Sequence, residues 1–212
     1  MKLALFGATG DLGQECPSQC LEAGHEVTVL ARTPAKLDDD LRTKCTVHQG
    51  DGLNADDVER TIGADCDAIL FAVGVDKQSP EHLCADITMH IINSMRTKKI
   101  RRLVWCGGGA TLLEGDQISF GARFVEFFSR TFMALRHRDK LKQLEVLASA
   151  NDIDWIGIRP LQMLQGPRTE VYRLGYHAFS GLSKISFADC AHAMIGMLSD
   201  DTWIRKAPII QY

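Results

Sequence analysis

Three glycines at fixed spacing offer the first chemistry in this chain. In Gly7-Ala8-Thr9-Gly10-Asp11-Leu12-Gly13 a Gly-x-x-Gly-x-x-Gly run follows the apolar segment Leu3 to Phe6 and leads into a stretch of helical period. A turn that brings backbone against a pyrophosphate needs residues without side chains, and the unpaired N–H groups of the following helix then face the negative charge. A glycine triplet alone is a weak signal. A strand before it, a helix after it and a βαβ order around it favour a dinucleotide site over a mere strand-to-helix turn. The expected binding loop is therefore Gly7, Thr9, Gly10, Asp11, Leu12 and Gly13.

About twenty residues beyond the glycines, a site for NAD(H) would present Asp or Glu to the ribose 2′-hydroxyl. Here the second strand ends in Leu30-Ala31-Arg32, with Thr33 and Lys36 following. Those side chains suit a 2′-phosphate, so NADP(H) is the expected cofactor. The alternative is that Arg32 and Lys36 only begin a solvated helix. Asp51 and Gly52 follow the third apolar segment, and Ala72-Val73-Gly74 closes the fourth. Asp51 either accepts from an adenine amino group or makes an Asx turn.

The elements that must position these residues alternate in type. Strand-like runs occur at Leu3–Phe6, Glu26–Ala31, Cys45–Gln49, Ala68–Val73, Arg102–Cys106 and Trp155–Arg159. Helical periodicity covers Asp11–Ala23, Pro34–Arg42, Asn54–Ile62, Pro80–Thr97 and Arg123–Ala150. This order predicts an α/β fold, a Rossmann-type doubly wound parallel sheet of six strands in a single domain over residues 1–212. Pro160 cannot continue a central ladder and should close the sixth strand. Residues 161–185, with Gly166, Pro167, Gly175 and Gly181, lose periodicity and read as an excursion on the substrate side. Ser186-Phe-Ala-Asp189 has capping-box spacing for a closing helix, which makes Asp189 and His192 cap and surface residues.

Composition narrows the partners. The chain has 212 residues, 45% of them hydrophobic, and a net charge of -3. It can bury a real core, and nothing in that balance calls for nucleic acid or an anionic membrane. Arg96, Lys98, Lys99, Arg101 and Arg102 gather at a helix C-terminus, where the dipole favours cations. No apolar run approaches the roughly 20 residues that span a bilayer, and the expected location is the cytoplasm. Seven scattered cysteines suit reduced thiols. Cys16 and Cys20, one helical turn apart near His25, read as buried thiols rather than a metal site, and no metal is expected.

These residues resemble the atypical short-chain dehydrogenase/reductase superfamily, and within it the group that holds biliverdin reductase B (flavin reductase) and the NmrA-like NAD(P)H-binding proteins. The resemblance runs through Ala4 to Gly10, His25 to Arg32, Gly50-Asp51, Leu103 to Cys106 and Trp155 to Pro160, and the terminal Gln211-Tyr212 is similar to the flavin reductase end. It implies NADP(H) over Gly7 to Gly13, its 2′-phosphate at Arg32, and its nicotinamide near Gly74, Cys106, Gly107 and Pro160. In flavin-reductase-like members a flavin or tetrapyrrole stacks on the nicotinamide and takes the hydride, so the implied partner is a small planar acceptor.

Typical members use Tyr-x-x-x-Lys to pass a proton. The three tyrosines, Tyr172, Tyr176 and Tyr212, lack a lysine four residues on. Lys142-Gln143-Leu144-Glu145 is similar to the lysine stretch of the family helix, which makes Lys142 a catalytic candidate and places Arg138 where the phenol would stand. Thr111, after Gly107-Gly108-Gly109-Ala110, either orients a substrate carbonyl or caps local backbone. Without the phenol, alcohol or sugar dehydrogenation is disfavoured, and so is epimerisation. Hydride transfer to a flavin-, quinone- or tetrapyrrole-like acceptor remains, since such an acceptor can take its proton from water. The first expectation is an NADPH-dependent reductase. The alternative is a non-catalytic NADP(H)-binding redox sensor or regulator of the NmrA-like kind.

Phe120, Phe124, Phe128 and Phe132 recur at four-residue steps beside Phe127 and Met133. The expected use of this stripe is burial on the sheet; a planar substrate or a second subunit are the alternatives, so monomer and homodimer both stay open. His137, between Arg136 and Arg138, reads as solvated, with proton donation as the alternative.

Overall fold

The computed structural model describes residues 1–108, 111, 113, 116–117, 120–176 and 183–212. Its strands are β1 (Lys2–Phe6), β2 (Glu26–Ala31), β3 (Thr46–Gln49), β4 (Ala68–Phe71), β5 (Arg102–Cys106), β6 (Asp154–Pro160), β7 (Gln162–Leu164), β8 (Arg173–Gly175), β9 (Lys184–Ser186) and β10 (Ile209–Gln211). Its helices are α1 (Asp11–Glu22), α2 (Asp39–Lys44), α3 (Ala55–Thr61), α4 (Leu83–Lys98), α5 (Phe120–Phe132), α6 (Ala134–Ser149) and α7 (Phe187–Gly196). The main sheet runs β3-β2-β1-β4-β5-β6-β10-β8, parallel except for β8.

Alternation within the strands builds two cores. Leu3, Leu5, Val27, Val29, Leu70, Val104 and Ile156 meet Leu12, Cys16 and Cys20 of α1 and Cys190 and Met194 of α7. The neighbours Ala4, Phe6, Ile69, Phe71, Leu103 and Trp105 meet Val58 of α3, Ile87, Ile91 and Met95 of α4 and Leu147 of α6. Successive side chains of one strand thus bury against opposite helical layers, which is why the central strands are apolar throughout. This is a single-domain Rossmann-like fold.

Four expectations are corrected. The sheet has eight strands, because β10 continues it beyond β6 through Ile209 opposite Arg159 and Ile210 opposite Pro160, and β8 adds an antiparallel edge. Pro34–Arg42 is not one helix: a 3₁₀ turn over Pro34–Lys36 is followed by extended Leu37 and then α2. The long helix over 123–150 breaks at Met133, whose φ of -125° leaves helical geometry. Phe120, Phe124, Phe127 and Phe128 are exposed, Phe120 at 90%, so these four side chains of α5 are not buried on the sheet. Helical periodicity specifies an apolar face but not what covers it. Gly109, Ala110, Gly181 and the side chain of Phe132 lie outside the described residues.

The basic cluster after α4 is taken up locally. Arg96 pairs with Asp152 at 2.8 Å and Arg101 with Asp154 at 3.0 Å. No helix among the described residues is long and apolar enough to cross a membrane.

Candidate active site

A cleft of about 650 Å³ opens at the carboxyl ends of the strands, where the order reverses between β1 and β4. Its floor is the turn from β1 into α1. Gly7 sits at φ +96°, and a Cβ there would lie 2.6 Å from the Ala72 carbonyl carbon. A Cβ at Gly13 would lie 1.8 Å from the Gly7 oxygen, so this glycine lets α1 pack on the turn. At Gly10 the nearest such contact is 3.6 Å, which leaves room above the loop. No side chain caps α1. Open space, uncapped helix N–H groups and close backbone together fit a pyrophosphate.

Gly7, Thr9, Gly10, Asp11 and Leu12 line the cleft; Gly13 does not, and acts through packing. Beyond them on the β2 side lie Arg32, Lys36, Asp51 and Gly52, while Thr33 is exposed outside it. Asp51 accepts from the Leu53 N–H at 3.0 Å through Oδ1, the Asx turn foreseen as its alternative role. Asp76, from the loop after β4, also reaches the cleft. Its carboxyl is held below its ordinary value by the Ser79 hydroxyl and the Gln78 N–H, and then by the charge of Arg32.

The opposite half is lined by Ala72, Val73, Gly74, Cys106, Gly107 and Pro160 as expected, together with Arg136, Lys140, Met163 and Phe187. Gly107 has a packing reason of its own, since a Cβ there would meet the Trp105 ring at 2.7 Å. The Cys190 thiol, held against Cys106 in the core beneath the cleft, is pushed up by that hydrogen bond and by burial.

Lys142 is displaced from the expected role. It is exposed and paired with Glu145 at 3.0 Å, and it does not line the cleft. Lys140, two residues earlier and only 4% exposed, does. Its Nζ donates to Gln143 Oε1 at 3.1 Å, to the Cys106 oxygen at 3.2 Å and to the Val73 oxygen at 3.3 Å. The ammonium also stands 5.6 Å from the Phe71 ring centroid. Gln143 is fixed in turn by donating to Thr88 at 2.9 Å. Beside Lys140, the buried Asp139 accepts from the N–H groups of Cys84 and Ala85 and so caps α4 from another helix. Arg136 and Lys140, rather than Arg138 and Lys142, are the cations of this helix that line the cleft.

Thr111 is also displaced. It is buried away from the cleft, and its carbonyl accepts from Arg159 Nη1 at 2.5 Å. The Arg159 guanidinium grips Asp116 at 2.8 and 2.6 Å, with both side chains almost wholly buried. Sequence reasoning read Arg159 as a strand end and passed over Asp116, because their pairing spans 43 residues. Together they pin the described part of the loop after β5. His137 is buried rather than solvated.

All three tyrosines lie elsewhere. Tyr172 OH meets His192 Nδ1 at 2.8 Å, Tyr176 OH accepts from the Ala207 N–H at 3.3 Å, and Tyr212 OH donates to Asp189 at 2.8 Å. The capping box is only half formed: Ser186 Oγ accepts from the Asp189 N–H at 2.9 Å, but the Ser186 N–H goes to Tyr212 OH at 3.1 Å, and the Asp189 carboxylate instead receives the N–H groups of Thr169 and Glu170, each at 2.8 Å, and holds that loop. Cys16 and Cys20 are buried, and no group of three or more metal-ligating side chains occurs among the described residues.

Residues 7–201 match the NAD(P)H-binding family. YwnB, an uncharacterised protein of Bacillus subtilis (strain 168), is 26% identical over 208 residues, covering 93% of this chain and 92% of its own. A structure from Streptococcus pneumoniae TIGR4, named as a candidate NADH-flavin reductase, is 22% identical with a TM-score of 0.76, over 100% of this chain and 99% of that one. A short-chain dehydrogenase/reductase from Veillonella parvula DSM 2008 in complex with NADP is 16% identical with a TM-score of 0.76, over 100% and 94%. The last two likenesses are of fold alone.

Proposed function

Given that the chain belongs to the NAD(P)H-binding family, we propose that it is an NADPH-dependent reductase that passes a hydride to a flavin-, quinone- or tetrapyrrole-like acceptor. The observation that carries this reading is the make-up of the cleft: a buried lysine lines it, and none of the three tyrosines reaches it. A carbonyl or alcohol substrate needs a proton donor or acceptor held against its oxygen. A conjugated planar acceptor spreads the incoming charge over its rings and takes its proton from water.

The bound cofactor supplies the hydride. Gly7, Thr9, Gly10, Asp11 and Leu12 hold its pyrophosphate, with Gly13 setting the turn. Arg32 and Lys36, with Thr33 at the edge, receive the 2′-phosphate. Asp51 and Gly52 border the adenine. Ala72, Val73, Gly74, Cys106, Gly107 and Pro160 border the nicotinamide ribose and ring, and Lys140, its three N–H groups spent on Gln143, Cys106 and Val73, holds that wall in place. Residues 161–185 are the acceptor-side excursion, with Leu161 and Met163 as its apolar contribution to the cleft. The protein's part in the chemistry is orientation and exclusion of water.

The test is NADPH absorbance on mixing with flavin, biliverdin and quinone acceptors. Acceptor-dependent loss of NADPH supports the reductase. Tight NADPH binding with no loss would instead favour a redox-sensing regulator.

A further inference from the structure

We infer that Arg136 makes the acceptor half of the cleft a site for a planar molecule bearing an anionic group, a phosphate or carboxylate on an otherwise apolar ring. This inference rests on the proposed reading of which half holds the acceptor. Arg136 lines that half, where its neighbours Pro160, Leu161, Met163 and Phe187 present apolar surface. Flat apolar walls suit a ring system, and an unpaired cation beside them fixes its orientation, Lys140 in the same half being spent on main-chain carbonyls.

The charge on Arg136 has no hydrogen-bond or ion-pair partner among the described residues. The other cations of α6 are engaged: Arg138 with Glu81 at 3.7 Å, Lys142 with Glu145 at 3.0 Å, and Lys140 with main-chain carbonyls. The acidic residues described in the cleft, Asp11, Asp51 and Asp76, belong to its nucleotide half. Arg136 also stands in the first turn of α6, where the helix dipole disfavours a cation. The Arg136 side chain is exposed, so an anion that enters the cleft pairs with it in place of water. A planar carboxylate or phosphate is the group that its paired N–H donors match.

The experiment is calorimetric titration of the intact protein saturated with NADP⁺, using two pairs of probes that share a ring and differ in charge. FMN is set against riboflavin, and 1,4-naphthoquinone-2-sulfonate against 2-methyl-1,4-naphthoquinone. In at least one pair the anionic member should bind about tenfold tighter or more, as a charge-assisted hydrogen bond of about 1.4 kcal/mol or more requires. Arg136→Gln should level the two affinities, Arg136→Lys should keep part of the difference, and NADP⁺ affinity should hold in both variants. Equal affinities within both pairs, or a preference that survives Arg136→Gln, would overturn the inference. So would an equal loss of NADP⁺ binding, which would assign Arg136 to the cofactor. Turnover plays no part in the readout: anion preference without NADPH oxidation would sink the reductase reading and leave this one standing.

Discussion

The Lys140 ammonium lies 3.2 Å from the main-chain oxygen of Cys106, tying α6 to the end of β5. A second bond, to the Val73 oxygen, ties the same group to the segment after β4. Both segments border the half of the cleft that is proposed to hold the nicotinamide, so one side chain braces that half from two sides.

Lys140→Met should therefore cost stability as well as function, since it leaves buried acceptors unsatisfied at about 1–3 kcal/mol. Lys142→Met, on the solvent side of the same helix, should change stability by about 0.5 kcal/mol or less. Urea unfolding and NADPH titration of both variants separate the two lysines. Equal effects would return Lys142 to the site.

Gly10 and Gly13 should fail in different ways. Gly10→Val has room in the loop as it stands, so the protein should fold with near-normal stability and lose NADPH and NADH alike. Gly13→Ala drives a methyl into the Gly7 carbonyl and should lower the melting temperature before any ligand is added. Thermal melts with and without cofactor distinguish the outcomes. Unchanged affinity in Gly10→Val would contradict the placement of the pyrophosphate.

Arg32→Asp should invert the preference for NADPH over NADH, removing a cation and adding repulsion toward the 2′-phosphate. Fluorescence titration with each cofactor reads the ratio directly. Parallel loss of both would make Arg32 structural.

The glycine turn between β1 and α1, the place of Arg32 at the end of β2 and the first six strands were legible because their constraints are local: a turn, a strand end, a period of two. Lys140, Asp139, Asp116 and Arg159 were not, because each finds its partners far along the chain, Asp139 with Cys84 across 55 residues and Arg159 with Asp116 across 43. The lysine that lines the cleft stands two residues before the expected Lys142 for the same reason. A helix face is readable from sequence, but which lysine reaches two strand ends depends on how the helix sits. The α5 stripe shows the converse: its period is plain in the sequence, yet Phe120, Phe124, Phe127 and Phe128 are exposed.

Asp116→Asn leaves the Arg159 charge buried without its counter-charge, and breaking such a pair costs about 3–5 kcal/mol. Chemical unfolding of this variant should show that loss. A change below about 1 kcal/mol would mean that the pair contributes little.

Alkaline pH should destabilise the fold through its buried thiols. Burial first, then neighbouring charge, pushes Cys20 up to about 12, and burial foremost pushes Cys84 up to about 11. The folded chain thus keeps protons that the unfolded chain releases near 9.0. This stabilisation is complete below that pH and is lost as pH climbs toward 11 or 12, by up to about 1.4 kcal/mol per unit for each thiol. Cys20→Ala should have a shallower decline than the parent between pH 9 and 11. Parallel slopes would remove the thiol from the account.

The central claim is tested most directly by following NADPH absorbance at fixed protein concentration with FMN, biliverdin and a soluble quinone in parallel, beside Lys140→Met and a protein-free control. The account predicts acceptor-dependent NADPH loss above the control, strongly reduced in Lys140→Met. Saturable NADPH binding with no loss in any acceptor would contradict a reductase and leave a cofactor-binding regulator in its place.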